Sequence, residues 1–166
     1  ALASSLNIPA VRAVQVTGPN AFHAKLDELG LSLVGPAEHH GVALALGSAD
    51  VRLIDLANAY RALANGGRFT PVRIERTAAA NETNRAATRS AGARGVEVFS
   101  PNTAWLIGHI LSDNAARAHT FGFDSVLATP FWTAAKTGTS KDMRDNWCVG
   151  WSARWTVGVW VGNASG

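Results

Sequence analysis

The sequence predicts an α+β fold in which helices pack against an antiparallel sheet. Residues 7–112 contain several segments with apolar side chains at helical spacing. Residues 130–163 instead contain three short segments rich in aromatic and β-branched residues, separated by turn residues. The chain has 166 residues, of which 47% are hydrophobic and 16% charged, so it is long and apolar enough to bury a globular core.

The predicted helices begin and end at recognisable capping residues. The turn "SLN" precedes a helix in which Pro9 suits the first turn and Gly18 the stop. A second short helix, "PNAFHAKLDELG", is closed by Gly30. In "GSADVRLIDLANAYRALANGG", Ser48 is the predicted cap, and four residues share one face: Leu53, Ala57, Tyr60 and Ala64.

The middle of the chain predicts a strand, a loop and a further helix. "FTPVRIER" alternates in the manner of a half-buried strand, and residues 77–95, with almost no large apolar side chain, are predicted to form a mobile surface loop. In "VFSPNTAWLIGHILSD", Ser100 is the predicted cap and Pro101 the first helical residue. Trp105, Ile107 and Leu111 are then available to the core.

The C-terminal segments predict three successive antiparallel strands, "PFWTAAKTGTS", "NWCVGWSA" and "WTVGVWVGN". Four of the six tryptophans lie in this region and are expected to pack on the sheet: Trp147, Trp151, Trp155 and Trp160. Trp147 could instead border a cleft.

Composition argues against several classes of protein. The net charge is +3, but the arginines are scattered from Arg12 to Arg154, whereas nucleic-acid binding requires basic residues clustered on one face. No apolar run approaches the roughly 18 residues of a membrane span. The sole cysteine, Cys148, excludes an internal disulfide, and the five histidines show no ligand pattern. We therefore expect no metal and no other cofactor.

Lys136 is the residue best suited to chemistry. It lies in a predicted strand beside Gly138, and a glycine in a strand often marks a place where a ligand or a second backbone comes close. Thr137, Thr139 and Ser140 add hydroxyl groups. A cation there could stabilise a carboxylate or lower the pKa of a neighbouring hydroxyl. The pattern alone leaves open an active-site strand or an edge strand with a solubilising lysine.

Two motifs resemble those of a known family. Lys136-Thr137-Gly138, followed by Thr139, resembles the Lys-Thr-Gly element of serine-reactive penicillin-binding proteins and β-lactamases. Ser5-Leu6-Asn7 resembles their Ser-x-Asn element. In order along the chain, four longer segments resemble the transpeptidase domain of class A bifunctional penicillin-binding proteins: "LNIPAV", "GSADVRLIDLANAYRALANGGRFTPV", "FSPNTAWLIGHIL" and "AAKTGTSKDMRDNWCVGWSARWTVGVWVGN".

The sequence of the last segment most resembles the penicillin-binding protein 1C subgroup. The resemblance covers nearly the whole chain apart from residues 77–95. It implies a partial penicillin-binding, serine β-lactamase-like fold.

The resemblance also implies acyl transfer on the D-Ala-D-Ala end of a peptidoglycan stem peptide, which β-lactams mimic. Ser5 would relay a proton to the leaving amine, and Asn7 would hold the substrate's backbone amide. Lys136 would supply positive potential towards the substrate carboxylate and the Ser5 hydroxyl.

Three further residues are implied to bind the substrate. Thr137 and Thr139 would bind its carboxylate, and the backbone N–H of Thr139 would form half of the oxyanion hole. Gly138 would leave room for the substrate along the strand. For Arg144 and Asp145, a surface ion pair and rim contacts to the stem peptide both stay open.

The nucleophile of the family is the serine of a Ser-x-x-Lys element, and no serine of this chain has a lysine three positions later. The segment from Thr133 to Lys136 has a similar spacing, but it would reuse the lysine of the third element, so we attribute it to coincidence. Residues 1–166 are therefore expected to be a partial transpeptidase domain, running from the Ser-x-Asn motif through the Lys-Thr-Gly strand and two following strands. The Ser-x-x-Lys segment and the C-terminal helix are expected to be absent, and the chain alone inactive.

Two other functions stay open at this stage. One is a D,D-carboxypeptidase or β-lactamase-type hydrolase, in which water replaces the amine. The other is a non-catalytic module that binds peptidoglycan peptides or acts as a scaffold. Expected partners are D-Ala-D-Ala stem peptides, β-lactam antibiotics and the remaining segments of the parent chain, with no nucleic acid. The resemblance implies a periplasmic location and a membrane-anchored parent with a glycosyltransferase domain.

Overall fold

The computed structural model describes residues 1–73 and 95–163. The first range is helical, with α1 (Asn7–Thr17), α2 (Pro19–Glu28), a short α3 (Ala37–His40), a 3₁₀ helix (Gly41–Leu46) and α4 (Leu53–Ala64), followed by β1 (Arg68–Phe69). The second range contains β2 (Val96–Glu97), α5 (Pro101–Ser112), α6 (Asn114–Phe121), β3 (Ala134–Thr139), a 3₁₀ turn (Lys141–Met143), β4 (Asp145–Trp151) and β5 (Thr156–Gly162). The described residues thus form an α+β architecture.

The three C-terminal strands form one antiparallel sheet in the order β3-β4-β5. Its register aligns Lys136 with Val149 and Gly138 with Trp147. The predicted succession of three antiparallel strands is confirmed. Since β4 lies between the other two, β3 forms an edge of this sheet among the described residues.

One face of the sheet packs against α4 and α5. Leu111 of α5, Ala134 of β3 and Trp151 of β4 form a buried cluster, with Tyr60 of α4 packed against it. At Gly158 of β5, an added Cβ would come within 3.0 Å of a methyl group of α4. Glycine at this position therefore allows the helix to lie directly on the strand.

The opposite face of the sheet is exposed in the described part of the chain. Side chains alternate between the two faces of a strand, so the valines of β5 share the face that α4 and α5 do not cover. Their exposed fractions are 57% for Val157, 47% for Val159 and 63% for Val161. An apolar surface of this kind is typical of a face that packs against another segment.

A second core cluster lies between α2, α4 and β2. It contains Leu29, Leu31, Ala59, Ala62 and Val98. Two of the helices end as predicted: α1 stops at Gly18, and α2 ends just before Gly30. In α5, the Ser100 hydroxyl accepts a hydrogen bond from the Thr103 N–H, which confirms the predicted cap.

The predicted start of α4 is wrong. The helix begins at Leu53 rather than near Ser48, and no side-chain cap closes its first turn. Instead the Arg52 guanidinium donates two hydrogen bonds to the Asp55 carboxylate, at 2.6 and 3.0 Å. The predicted face does pack on the sheet, since Leu53 and Ala57 lie against Gly158 and Tyr60 packs on the Trp151 cluster, whereas Ala64 is exposed. The most buried residues of the helix, Asn58, Ala59 and Ala62, lie beside that face.

Of the strand predicted in "FTPVRIER", the described residues 69–73 place only Phe69 in a strand, as part of β1, and residues 74–76 lie outside the described part of the chain. Proline at position 71 has no N–H for a ladder, and the Thr70 carbonyl is already bonded to the side chains of Asn58 and Arg61. The loop predicted at residues 77–95 lies, apart from Gly95, outside the described residues. Trp105 is 68% exposed and was wrongly expected in the core, whereas Leu111 is buried as predicted.

Candidate active site

The two motifs of the sequence meet at Lys136. Its ammonium Nζ donates a hydrogen bond to the Ser5 hydroxyl at 2.6 Å and another to the Thr137 carbonyl at 2.5 Å. Ser5 lies 131 positions away in the sequence, in the turn that precedes α1. The fold therefore joins the Ser-x-Asn turn to the Lys-Thr-Gly strand through one side-chain hydrogen bond.

Burial dominates the electrostatics around this lysine. It lowers the pKa of Lys136, and the nearby Cys148 thiol opposes that effect. Burial likewise raises the pKa of Cys148, while Arg117 and Lys136 oppose the rise. In the described part of the chain, neither Lys136 nor Arg117 forms an ion pair with a carboxylate. The positive potential here is therefore free to act on an anionic ligand group.

The turn that presents Ser5 is held in an unusual backbone conformation. Ser5 has φ = 55°, in the left-handed region that favours glycine. Its N–H donates to the Leu2 carbonyl at 3.1 Å, and the Leu6 N–H donates to the Ala1 carbonyl at 3.1 Å. Asn7 follows as the first residue of α1 and is exposed. Asn7 is thus a surface residue two positions after Ser5.

The remaining residues of the Lys-Thr-Gly strand line its exposed end. Thr137 and Thr139 share the face opposite Lys136, because side chains alternate along a strand, and Thr139 and Gly138 are exposed. A Cβ added at Gly138 would meet only the Trp147 Cβ, at 3.7 Å. The space beside Gly138 is therefore open, and an edge strand retains backbone groups that can pair with an extended peptide.

The turn between β3 and β4 contradicts one expectation. Arg144 and Asp145 do not form an ion pair; the Asp145 carboxylate instead accepts a hydrogen bond from the Trp160 indole at 3.0 Å. The Trp160 ring lies 6.3 Å from that of Trp147, measured between centroids. Ser140 closes the same turn, since its hydroxyl accepts from the Asp145 N–H at 2.8 Å. Trp155 was expected to pack on the sheet, but it is 73% exposed, so this prediction is wrong.

Sequence reasoning missed the residues that support the Ser5 turn. Helix α6 was not predicted, although Asp113 caps it by accepting from the Ala116 N–H at 3.0 Å. Ser4 and Thr120 form hydrogen bonds between this helix and the turn. An Asp placed before "NAARAHTF" is a capping signal that would have located the helix. Nothing in the sequence indicates its contact with residue 4.

Among residues 1–73 and 95–163, no group of three or more His, Cys, Asp or Glu side chains is placed to hold a metal ion. In the same residues, no helix has the length and apolar character needed to cross a bilayer.

A Lys-Thr-Gly strand at the edge of a sheet, hydrogen-bonded to a Ser-x-Asn turn, is the pair of motifs found in serine-reactive penicillin-binding proteins and β-lactamases. The family model described as "Penicillin binding protein transpeptidase domain" matches residues 1–164. The chain belongs to this family, which confirms the resemblance inferred from the two motifs.

Relatives and a solved structure agree with this assignment. The chain is 35% identical over 167 residues to penicillin-binding protein 1C of Escherichia coli strain K12, covering 100% of this chain and 20% of that protein. It is 29% identical over 167 residues to penicillin-binding protein 1B of Vibrio cholerae, and the match covers 98% of this chain and 20% of that protein. The crystal structure of penicillin-binding protein 1A from Haemophilus influenzae superposes with a TM-score of 0.71 at 22% identity, covering 98% of this chain and 29% of that one. The fold prediction is thereby confirmed, and the chain spans about a fifth of the length of these curated relatives.

Proposed function

We propose that this chain is part of a serine-type D,D-transpeptidase that cross-links peptidoglycan stem peptides. The hydrogen bond between Lys136 Nζ and Ser5 Oγ, at 2.6 Å, carries this proposal. The Ser5 hydroxyl can pass on a proton, and the lysine that is hydrogen-bonded to it has a pKa lowered by burial. Such a pair is suited to general acid–base work at a weak nucleophile.

The proposed reaction has two steps. A serine of a Ser-x-x-Lys element outside this chain attacks the carbonyl of the penultimate D-Ala, and the C–N bond to the terminal D-Ala breaks. The proton released by the attacking serine hydroxyl is passed through Ser5 to the leaving amine, and D-Ala departs. An amine of a second stem peptide then attacks the acyl-enzyme ester, forms the new amide and releases the serine. Water in place of that amine would give the hydrolytic outcome.

Substrate binding is assigned to the edge of β3. We propose that the stem peptide lies along this strand beside the open space at Gly138, with its carboxylate near the hydroxyls of Thr137 and Thr139 and within reach of the Lys136 charge. The Thr139 N–H would supply one donor of the oxyanion hole, and Asn7 would bind a backbone amide of the substrate. Losing one oxyanion donor typically costs about 2.7 to 4 kcal/mol of transition-state stabilisation.

The same proposal extends to the surroundings of the chain. Residues 1–166 would be a partial transpeptidase domain, completed by an upstream Ser-x-x-Lys segment and by a C-terminal helix of a membrane-anchored, periplasmic parent protein. The exposed valines of β5 supply an apolar surface for such segments. β-Lactams, as mimics of D-Ala-D-Ala, would acylate the completed site.

Intact-mass spectrometry after incubation with a reactive penicillin tests the proposal. The 166-residue chain and a longer protein that includes the upstream segment are treated in parallel, each with and without prior denaturation. We expect a covalent adduct on the folded longer protein and none on the short chain. An adduct on the short chain would place the nucleophile within residues 1–166 and contradict the proposal.

A second function is favoured by one observation. The chain contains no Ser-x-x-Lys element, which fits a non-catalytic module that binds peptidoglycan peptides. This alternative predicts that neither protein forms an adduct, while a D-Ala-D-Ala peptide still binds the chain reversibly. Release of free D-Ala from that peptide by the longer protein, without a cross-linked product, would instead indicate a D,D-carboxypeptidase.

A further inference from the structure

The peptide plane that sets the conformation of Ser5 is held from both sides. Its N–H belongs to Ser5 and donates to the Leu2 carbonyl at 3.1 Å. Its carbonyl belongs to Ser4 and accepts a hydrogen bond from the Thr120 hydroxyl at 2.8 Å. Because a peptide unit is planar, these two bonds together fix the plane from which the Ser5 φ angle of 55° is measured.

The Ser4 side chain completes this arrangement. It is 7% exposed, and its hydroxyl donates to the Ala116 carbonyl at 2.7 Å. Ala116 and Thr120 are four positions apart in α6 and therefore lie on one face of that helix. Residue 4 is thus bonded through its side chain and its backbone carbonyl to two successive turns of α6. We call these two hydrogen bonds the Ser4 clamp.

Helix α6 is in turn fixed to the scaffold that carries Lys136. The Arg117 guanidinium is 2% exposed and donates to the carbonyls of Leu111 and Leu127. Leu111 belongs to α5 and packs in one buried cluster with Ala134 of β3. The Lys136 strand and the Ser5 turn are therefore connected through α5 and α6, and the hydrogen bond from Lys136 to Ser5 joins the two ends.

A left-handed conformation is unfavourable for a non-glycine residue, and it persists only where the surroundings hold it. We propose that Ser4 and Thr120 are positioning residues, which hold the Ser5 hydroxyl at Lys136 through the Ser4 clamp. This inference rests on the proposed function, since it assigns the clamp a role in acyl transfer. Without the clamp, Ser5 is expected to relax towards ordinary backbone angles and to carry its hydroxyl away from Lys136.

Thr120→Val in the full-length protein is the informative variant, because Thr120 is exposed and its replacement should leave the fold intact. Thr120→Ser keeps the hydroxyl and serves as the rescue. Thr17→Val is the matched control, since the Thr17 hydroxyl bonds the carbonyl of Ala13 within its own exposed helix end. Two quantities are measured: the rate constant of penicillin acylation, separated from the dissociation constant of the initial complex, and hydrogen exchange of the peptide containing residues 1–6.

Thr120→Val is expected to lower the acylation rate constant by about 10- to 100-fold, with little change in the dissociation constant, and to speed exchange at Ser5 and Leu6. Thr120→Ser and Thr17→Val should behave like the wild type. Wild-type acylation and unchanged exchange in Thr120→Val would overturn the inference, as would an equal loss in Thr17→Val or a failure of Thr120→Ser to restore the rate. A wild-type protein that no penicillin acylates would refute the proposed function instead, and the exchange comparison alone would then decide whether the clamp holds Ser5.

Discussion

Lys136 Nζ lies 2.6 Å from Ser5 Oγ and donates a hydrogen bond to it, although the residues are 131 positions apart. Lys136 lies on β3, where it pairs with Val149 of the neighbouring strand β4. Ser5 lies on a turn that is bonded to α6. The contact therefore depends on how α5 and α6 hold the Ser5 turn against β3.

Removing the ammonium group should abolish most of the acyl transfer. Lys136→Met keeps much of the side-chain volume, but it removes the donor to Ser5 and the positive potential. We expect penicillin acylation of a protein that includes the upstream segment to slow by about 10²- to 10⁴-fold. Lys141→Met, at an exposed lysine five positions further on, is the control and should acylate normally. Equal rates in the two variants would show that Lys136 has no role in the reaction.

Two substitutions at Ser5 separate its hydroxyl from its backbone conformation. Ser5→Ala and Ser5→Gly both remove the acceptor for Lys136, so both should slow acylation to a similar extent. Glycine adopts φ = 55° without strain, whereas alanine does not. The free energy of unfolding should therefore be about 1 kcal/mol higher for Ser5→Gly than for Ser5→Ala, as measured by chemical denaturation. A more stable Ser5→Ala protein would mean that the turn relaxes freely.

The sheet and several helix ends could be predicted because the responsible signals are local. Strand alternation, Ser100 followed by Pro101, and Gly18 each act within a few residues. The outward orientation of Trp105 has a different origin. The buried face of α5 contains Ala104, Gly108 and Leu111, and an added Cβ at Gly108 would lie 3.5 Å from the Trp151 ring. Small residues there let the helix approach the sheet, which apolar spacing alone did not indicate.

The motifs of the candidate site could be predicted from the sequence, but the residues that hold the Ser5 turn in place could not. Lys136 and Ser5 were recognised from short sequence elements, and the fold brings them together. The Ser4 and Thr120 hydroxyls donate to backbone carbonyls more than 110 positions away, those of Ala116 and Ser4 respectively. Small polar residues occur in most loops and helix ends, so their pairing has no local signature. Only the folded backbone determines which of them meet.

The buried Arg117 should be a stability determinant. Its guanidinium donates hydrogen bonds to the carbonyl of Leu111, which is buried, and to that of Leu127, which is half-buried. Arg117→Met would leave both carbonyls without these donors, and we expect the free energy of unfolding to fall by about 2 to 4 kcal/mol. Arg154→Met, at an exposed arginine, is the matched control and should be nearly neutral in the same denaturation experiment. A stable Arg117→Met protein would show that the local structure finds other donors.

Tyr60 should make the fold sensitive to alkali. Burial, with a smaller contribution from Cys148, raises the pKa of its phenol from 10.0 to about 12. A group whose pKa is raised on folding stabilises the protein below its unfolded pKa, and this stabilisation is lost as the pH rises from about 10 to 12. The loss should amount to about 2 to 3 kcal/mol. Tyr60→Phe keeps the edge-on packing against Trp151, whose centroid is 5.9 Å away, so it should match the wild type at pH 7 and be the more stable protein at about pH 11. Because Tyr60 is the only tyrosine, the near-ultraviolet absorbance of tyrosinate reports its titration directly, and a midpoint at the ordinary value of 10.0 would contradict the prediction.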